Sequence, residues 1–572
     1  MKYVALCVLL VCSFLSLAMA QTAPPQGAAG RGQRPMRAQS ERVDTPRGTA
    51  VLRGQIIAVD NGSPIRRAQV RLSSPDARES RVATTDVQGR FEIRELPAGR
   101  YTVTASKGGF VALQYGQRRP SESGTPIELA DAQTIDKITI ALPRGSVLGG
   151  RITDEFGEPV ANASVSAWRY AYAAGVRRLT PAGQNSRDTT DDQGHFRLFG
   201  LPPGEYYVSA TLRSGGPEIT DPAGEASGYA ATYFPGTTNV AEAARIMLSV
   251  SQENTGINFG LIATRLVRVS GQVLGSDGAP ATGGTVMLVP AAGGRSAMAM
   301  PQGSAGNRID RTGAFRVSNV APGRYQVRAV VGGREFELAR MDLSVGNDDV
   351  DGLTLVAARP ATITGTVVSD TGEPFDFRPE QLQIGLRPGS PDAFGGPGGP
   401  ATTARVAADW SFALRNVSDF ALVRATTPPG WTMKAVIVAG QDITDTPSEF
   451  PAGQIISGAQ IVLTKKVTSL SGLVTDSKGN PVLDAAVVVF PTNEQLWTYQ
   501  SRFIKAARPD QEGRYRLSAL PTATYYIVAV QGLEDGQAGD AEFLAAIRES
   551  AARLEIGDGE SKAVDVKLSA TR

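Results

Sequence analysis

Gly54-Gln-Ile-Ile-Ala-Val-Asp60-Asn-Gly62-Ser-Pro64 runs into Ala68-Gln-Val70-Arg-Leu72, and further on come Asp86-Val-Gln-Gly89-Arg-Phe91-Glu-Ile93 and Leu96-Pro97-Ala-Gly99-Arg-Tyr101-Thr-Val103. Apolar and polar residues alternate along each run, as on strands with one face in a core. Glycine, proline and aspartate separate the runs and supply the turns. In Asp-x-x-Gly the aspartate bonds the following backbone and the glycine takes a positive φ.

The same grammar recurs. Gly150-Arg-Ile152 opens a second copy, with Asp191-Asp-Gln-Gly194-His-Phe196 and Pro203-Gly204-Glu-Tyr206 later in it. Gly271-Gln-Val273 opens a third, with Asp310-Arg-Thr-Gly313-Ala-Phe315 and Pro322-Gly323-Arg-Tyr325. Gly472-Leu-Val474 opens a fifth, with Asp510-Gln-Glu-Gly513-Arg-Tyr515, Leu520-Pro521 and Tyr525. The fourth, from Gly365-Thr-Val367, is worn: Trp410 stands at the turn glycine and Phe420 at the second glycine, so its turns are expected to differ. The opening glycines lie 96, 121, 94 and 107 positions apart, a spacing of whole domains rather than solenoid units. About seven short strands per copy argue for a sandwich. The expected fold is all-β, a tandem array of five antiparallel sandwiches over 49–144, 145–263, 264–358, 359–465 and 466–572. Residues 466–572 are expected to fold alone. One helix is expected, Ala541 to Leu554, with Asp540 as its cap.

Residues 1–20 read as a secretory signal: Lys2, an apolar run from Val4 to Leu17, then Ala18-Met19-Ala20 as the cleavage site. Lipidation at Cys12 is the alternative, but the bulky Val11 precedes it. Residues 21–48, rich in Gln, Gly, Pro and Arg, read as a disordered spacer whose basic tract Arg31 to Arg42 is solvated or touches an anionic surface. No later segment approaches the ~18 apolar residues of a membrane helix. The expected location is therefore periplasmic, outer-surface or secreted. The two cysteines, Cys7 and Cys12, both lie in the signal, so the exported chain has no disulfide or thiolate site. Lys+Arg and Asp+Glu number 58 and 56, a balance that argues against a nucleic-acid partner.

Opening strand, Gly-x-Pro turn, Asp-x-x-Gly-x-Phe and Pro-Gly-x-Tyr together resemble the carboxypeptidase regulatory-like domain family, the transthyretin-like β-sandwiches. The likeness runs over residues 50–569 and is weakest in copy four. The resemblance implies a β-sandwich fold also described as carbohydrate-binding-like, an analogy of fold.

The inventory for chemistry is thin. A zinc peptidase needs two histidines and a glutamate, and the chain has one histidine, His195. A serine triad would have to use that same residue. His195 fills a slot held elsewhere by Arg90, Ala314 and Arg514, which marks an outward strand position. Carboxylate-pair chemistry is open by counting alone, but no copy has spare length for a cleft. Asp191-Asp192 and the Asp348, Asp349, Asp351 group read as turn residues before calcium ligands. An internal Lys–Asn crosslink is not expected, since Arg53 and Arg151 flank the opening glycines. Gly395 to Pro400 lacks the Gly-Lys-Ser/Thr of a phosphate loop. No cofactor and no metal are expected. The structural positions are Asp86, Gly89, Gly99, Asp191, Gly194, Gly204, Asp310, Gly313, Gly323, Asp510 and Gly513.

Aromatics give the best hint of a binding face. Trp168, Tyr170 and Tyr172 alternate on one strand, where they either stack on a ligand or cover the core or the next copy. Tyr233-Phe-Pro-Gly-Thr237 and its counterpart Gln114-Tyr-Gly116 are expected to be structural. The expected function is an exported, non-catalytic scaffold that binds or spaces a polysaccharide or envelope protein; a carbohydrate-binding array on copy two is the alternative, and an enzyme comes third.

The exported chain is expected to melt identically with and without reductant. A reductant-sensitive transition in calorimetry contradicts the cysteine reading.

Overall fold

A computed structural model describes residues 48–74, 79–173, 175–183, 185–212, 227–290, 308–332, 336–389, 403–417 and 420–569. The signal, the spacer up to Arg47, both cysteines and the Gly395–Pro400 loop lie outside the described residues.

Copy one shows the plan. Arg90–Leu96, Ala50–Ala58 and Thr134–Leu142 form one sheet, in that order. Glu79–Thr84, Gln69–Ser74, Gly99–Ser106 and Leu113–Gln114 form the second, with Ile127–Leu129 also on Gly99–Ser106. Leu52, Ile56 and Ile140 from one sheet meet Val70, Leu72, Tyr101 and Val103 from the other in a closed core. Separate buried clusters of the same make-up occupy the other four copies. Each cluster draws on alternate residues of its strands, which is why alternation in the sequence marks them.

The expected antiparallel sandwich needs one amendment. In every copy the last strand runs parallel to the first: Thr134–Leu142 on Ala50–Ala58, Val350–Val356 on Val267–Leu274, and Ile455–Thr464 on Ala361–Ser369. In copies two and five that strand is split in two pieces along Ser146–Thr153 and Ser469–Thr475. The chain reaches this strand by crossing over from the second sheet, not by a hairpin, and a crossover delivers a parallel pair.

Where the last strand passes the opening glycine it bulges. A Cβ on Gly54, Gly150, Gly271, Gly365 or Gly472 would lie 1.9 to 2.2 Å from a carbonyl oxygen of that strand, at Ile138, Ile257, Leu353, Ala459 and Val564 in turn. No side chain fits there. On the other flank each of these glycines pairs with the aromatic of the turn motif: Phe91, Phe196, Phe315, Phe412 and Tyr515. The rings are buried over the bare glycine. The Tyr515 hydroxyl also donates to the same Val564 carbonyl at 2.7 Å.

The Asp-x-x-Gly turns are built as the sequence implies. Asp86, Asp191, Asp310 and Asp510 each accept two backbone N–H groups through one Oδ at 2.7 to 3.0 Å. Gly89, Gly194, Gly313 and Gly513 hold φ between +71° and +83°. Copy four corrects the expectation of different turns. Trp410 takes φ +65°, and the bonds Trp410 N–Ala407 O, Ala407 N–Ser411 O and Val367 N–Trp410 O reproduce those of the other copies. A left-handed non-glycine costs about 1–2 kcal/mol. The Trp410 ring lies 4.1 Å from Phe375 and 5.3 Å from Phe377, and each aromatic pair returns about 0.5–1.5 kcal/mol.

The next turn is a tyrosine corner. Tyr101, Tyr206, Tyr325 and Tyr525 donate to the carbonyl four residues back at 2.5 to 2.8 Å. Burial pushes the Tyr206 hydroxyl up to about 12. Of the glycines beside it, Gly99 and Gly204 have positive φ and Gly323 does not, and copy four corrects the expected alignment: Phe420 pairs with Glu449 where Arg100 pairs with Glu128, one residue past the glycine position.

The expected helix is shorter than its periodicity. It covers Ala541–Ile547, with Asp540 accepting from Glu542 N at 3.2 Å, and gives way to a 3-10 turn at Arg548–Ser550. Leu554 instead sits in the strand Ala552–Ile556, whose partner is Ala523–Val530. The apolar spacing continues across the helix-to-strand change although the two elements face different sides of the sheet: Leu544 and Ile547 pack on its outer face, and Leu554 belongs to the sandwich core.

Copy five touches three others. Arg502 grips Asp445 of copy four with two bonds of 2.7 and 2.8 Å and reaches Met433 O at 3.0 Å. Arg508 pairs with Glu122 of copy one at 3.5 Å and with its own Asp484 at 3.0 Å. Gln511 and Glu128 of copy one exchange two bonds of 3.1 Å. Gly175 N of copy two donates to Gly536 O at 3.0 Å.

Gly472→Ala is expected to cost copy five about 3 kcal/mol or to prevent its folding. Gly557→Ala, where the new Cβ meets only the Glu560 side chain at 3.5 Å, is expected to melt as wild type. Equal melting of the two variants contradicts the glycine–carbonyl constraint.

Candidate functional site

Copy two carries the aromatic row, on the strand Ala163–Ala173. Ala163, Val165 and Ala167 point into the core, so Trp168, Tyr170 and Tyr172 lie on the outer face of the second sheet. The strand outruns the sandwich and pairs with Val176–Pro181 as a projecting hairpin.

The three aromatics do not form one open platform. Trp168 is 3% exposed, packs with Leu179, Tyr207 and Tyr233, and donates from Nε1 to Ser209 Oγ at 2.8 Å. The roof over it is the Tyr233 loop: Tyr233 N bonds Thr237 O at 2.7 Å, and Val240 and Ala243 close the cluster. A buried tryptophan cannot stack on a ligand. Tyr170, half-exposed, meets Tyr207 edge-on at 5.6 Å and carries the Arg177 guanidinium 4.7 Å above its ring. Tyr172 faces copy five instead. A Cβ on Gly536 would meet the Tyr172 carbonyl at 2.9 Å, and burial followed by the nearby Asp540 charge pushes the Tyr172 hydroxyl up. Tyr170 with Arg177 is the part of the row left facing solvent.

The hydrophobic alternation of Ala163–Ala167 told which face the aromatics share, but nothing in the sequence announced the roof. Its counterpart in copy one does match by position: Gln114 pairs with Thr104 as Tyr233 pairs with Ser209.

His195 lies half-exposed beside an open groove of about 670 Å³, with Gly149, Gly150, Arg151, Asn258 and Phe259 around it. Its Nδ1 is 3.7 Å from Asp191 Oδ2, whose other oxygen holds the turn. No serine hydroxyl or second histidine joins it in the groove lining. The Asp349 and Asp351 carboxylates are occupied by Arg268, at 2.9 and 3.7 Å, and Asp351 also accepts from Ser270. Among the described residues no three His, Cys, Asp or Glu side chains gather as metal ligands. Lys465 and Lys466 pair with Asp376 and Asp558 at 2.9 and 3.1 Å.

The family model for the carboxypeptidase regulatory-like domain matches residues 51–143 and 147–245, two tandem copies of the family that the motifs resemble. No curated protein matches the chain. Among solved structures, the streptococcal ancillary pilin is 15% identical over 54% of this chain and 98% of its own, with a TM-score of 0.21. A minor pilin of Streptococcus agalactiae is 18% identical over 37% of this chain and 95% of its own, TM-score 0.20. A putative carbohydrate binding protein from Pseudomonas aeruginosa is 14% identical over 17% of this chain and 90% of its own, TM-score 0.13.

Trp168→Ala is expected to destabilise copy two by about 3–5 kcal/mol, as deletion of a buried tryptophan does. Arg177→Ala is expected to leave the melting midpoint within a degree or so, in keeping with an exposed charge. A W168A chain that melts as wild type contradicts the structural role of Trp168.

Proposed function

We propose that the chain is an exported, non-catalytic scaffold that works through fixed surfaces, holding or spacing an envelope or extracellular partner. The carrying observation is the way copy five binds copies one and four: Arg508 and Arg502 are buried or half-buried at these two joints and paired with carboxylates. The bidentate Arg502–Asp445 pair adds geometric specificity as well as energy, which supports a fixed joint. A set of sandwiches locked in this manner presents separate faces at constant spacing. The side-chain inventory supports surface action: one histidine in the chain, and no disulfide or thiolate in the exported part.

A second reading, a glycan contact on copy two, is favoured by Tyr170 under Arg177. A ring face flanked by a cation suits a sugar ring carrying an acidic group.

Incubation of the purified chain with isolated envelope and with a glycan array separates the two. Retention on envelope, unchanged in Tyr170→Ala, supports the scaffold. Loss of retention in Y170A together with array hits on acidic glycans moves the reading to a glycan module. Turnover of envelope polymer, or no retention on either, contradicts both.

A further inference from the structure

An open groove of about 560 Å³ lies at the joint between copies one and five. Arg100 reaches it from copy one; Lys505, Arg508 and Arg516 reach it from copy five. Glu534 and Asp535 are the acids of its wall, so the lining carries an excess of positive charge. Glu122 and Asp484, outside the lining, neutralise Arg508, and the other three cations have no carboxylate partner among the described residues. Arg100 spends its guanidinium on the carbonyls of Arg508 and Arg516, at 3.0 and 3.5 Å. Lys505 donates to the carbonyls of Ser518 and Ala519. Carbonyls satisfy donors but leave the charge in place. The Arg516 side chain is exposed, and its guanidinium has no ion pair or hydrogen bond among the described residues. Arg508, whose side chain is only 9% exposed, keeps its Nε without a hydrogen-bond partner.

Three cations without a carboxylate partner, Arg100, Lys505 and Arg516, around a ligand-sized groove suit an oxyanion. Thr102 and Ser518 add hydroxyl donors to the same wall. We propose that this groove binds a small oxyanion-bearing ligand, a carboxylate or phosphate seated on Arg100, Lys505 and Arg516. A ligand held there touches both copies, so it binds the joined state alone and stabilises it. Lys505 fits this role: burial, and then the neighbouring Arg502, hold its ammonium down to about 8, and an anion beside it relieves that penalty. The site is independent of the Tyr170 face, which lies on copy two.

Calorimetric titration of the full chain tests the site, with inorganic phosphate and galacturonate as probes, glucose as the neutral control, and ionic strength held with potassium chloride. Saturable binding of phosphate or of galacturonate, and none of glucose, is expected; the tighter of the two tells a free phosphate from an acidic sugar. Arg516→Gln is expected to weaken binding about tenfold, the loss of one charged hydrogen bond, with the unliganded melting curve unchanged because the exposed guanidinium bonds no other described residue. Arg516→Lys is expected to recover part of the affinity. The proposal is overturned by the absence of saturable binding of either probe, or by R516Q binding as wild type.

Discussion

The close passage of a last-strand carbonyl over a bare glycine in the first strand governs each copy. Gly54, Gly150, Gly271, Gly365 and Gly472 all face that carbonyl, and all have a buried aromatic across the other flank. The contact brings together the beginning and the end of about a hundred residues, and between them the core is sealed. Because the two strands are parallel, a copy is entered at one end of its sheet and left at the other. The chain can then run into the next copy through a linker as short as Pro143–Gly145, with Arg144 bonded back to Asp60 at 2.8 Å.

Copy four shows how much of this plan survives loss of its sequence markers. The turn glycine is gone, yet the left-handed backbone remains at Trp410, and the strain is offset by rings the other copies lack. Trp431 joins the group and donates to Asp376 at 2.7 Å. The tyrosine corner is also gone: Ala421 pairs with Pro388 where Tyr325 pairs with Pro290 and Tyr525 with Pro491. Copy four has moved a strand as well: Thr432–Val438 pairs with the last strand in the first sheet, whereas Glu337–Val345 of copy three joins the second sheet. What copy four keeps is Gly365 with Phe412 beside it.

Much of this was legible from residues alone. Strand alternation, aspartate turns and the tyrosine after Pro-Gly are local, and local patterns can be read without knowing what lies across the sheet. The opening glycines were visible as markers, but their reason was not, because it depends on a strand roughly ninety residues away. The helix was overextended for a related cause: Leu554 continues the apolar spacing of Ala541–Ile547 after the backbone has become a strand. The candidate site fared least well. Trp168, Tyr170 and Tyr172 share a face as their spacing said, but a roof, a free edge and a neighbouring copy claim one each, and such partners leave no trace in a strand's own sequence. The Arg508 joint was likewise unreadable, since its partners come from opposite ends of the chain.

The proposed scaffold role rests on this closure. Cores sealed copy by copy leave the surfaces, the joints and their side chains as the means of acting. The most direct measurement is residue-resolved hydrogen exchange of the native chain at the amides of Ile56, Ile152, Val273, Val367 and Val474. Each donates to the turn residue beside the glycine–aromatic pair, at 2.8 to 2.9 Å. All five should rank among the slowest amides of their own copy, copy four included. Exchange of any of them at the rate of its surface loops would show that the copy is not held shut from its first strand, and the account would fail.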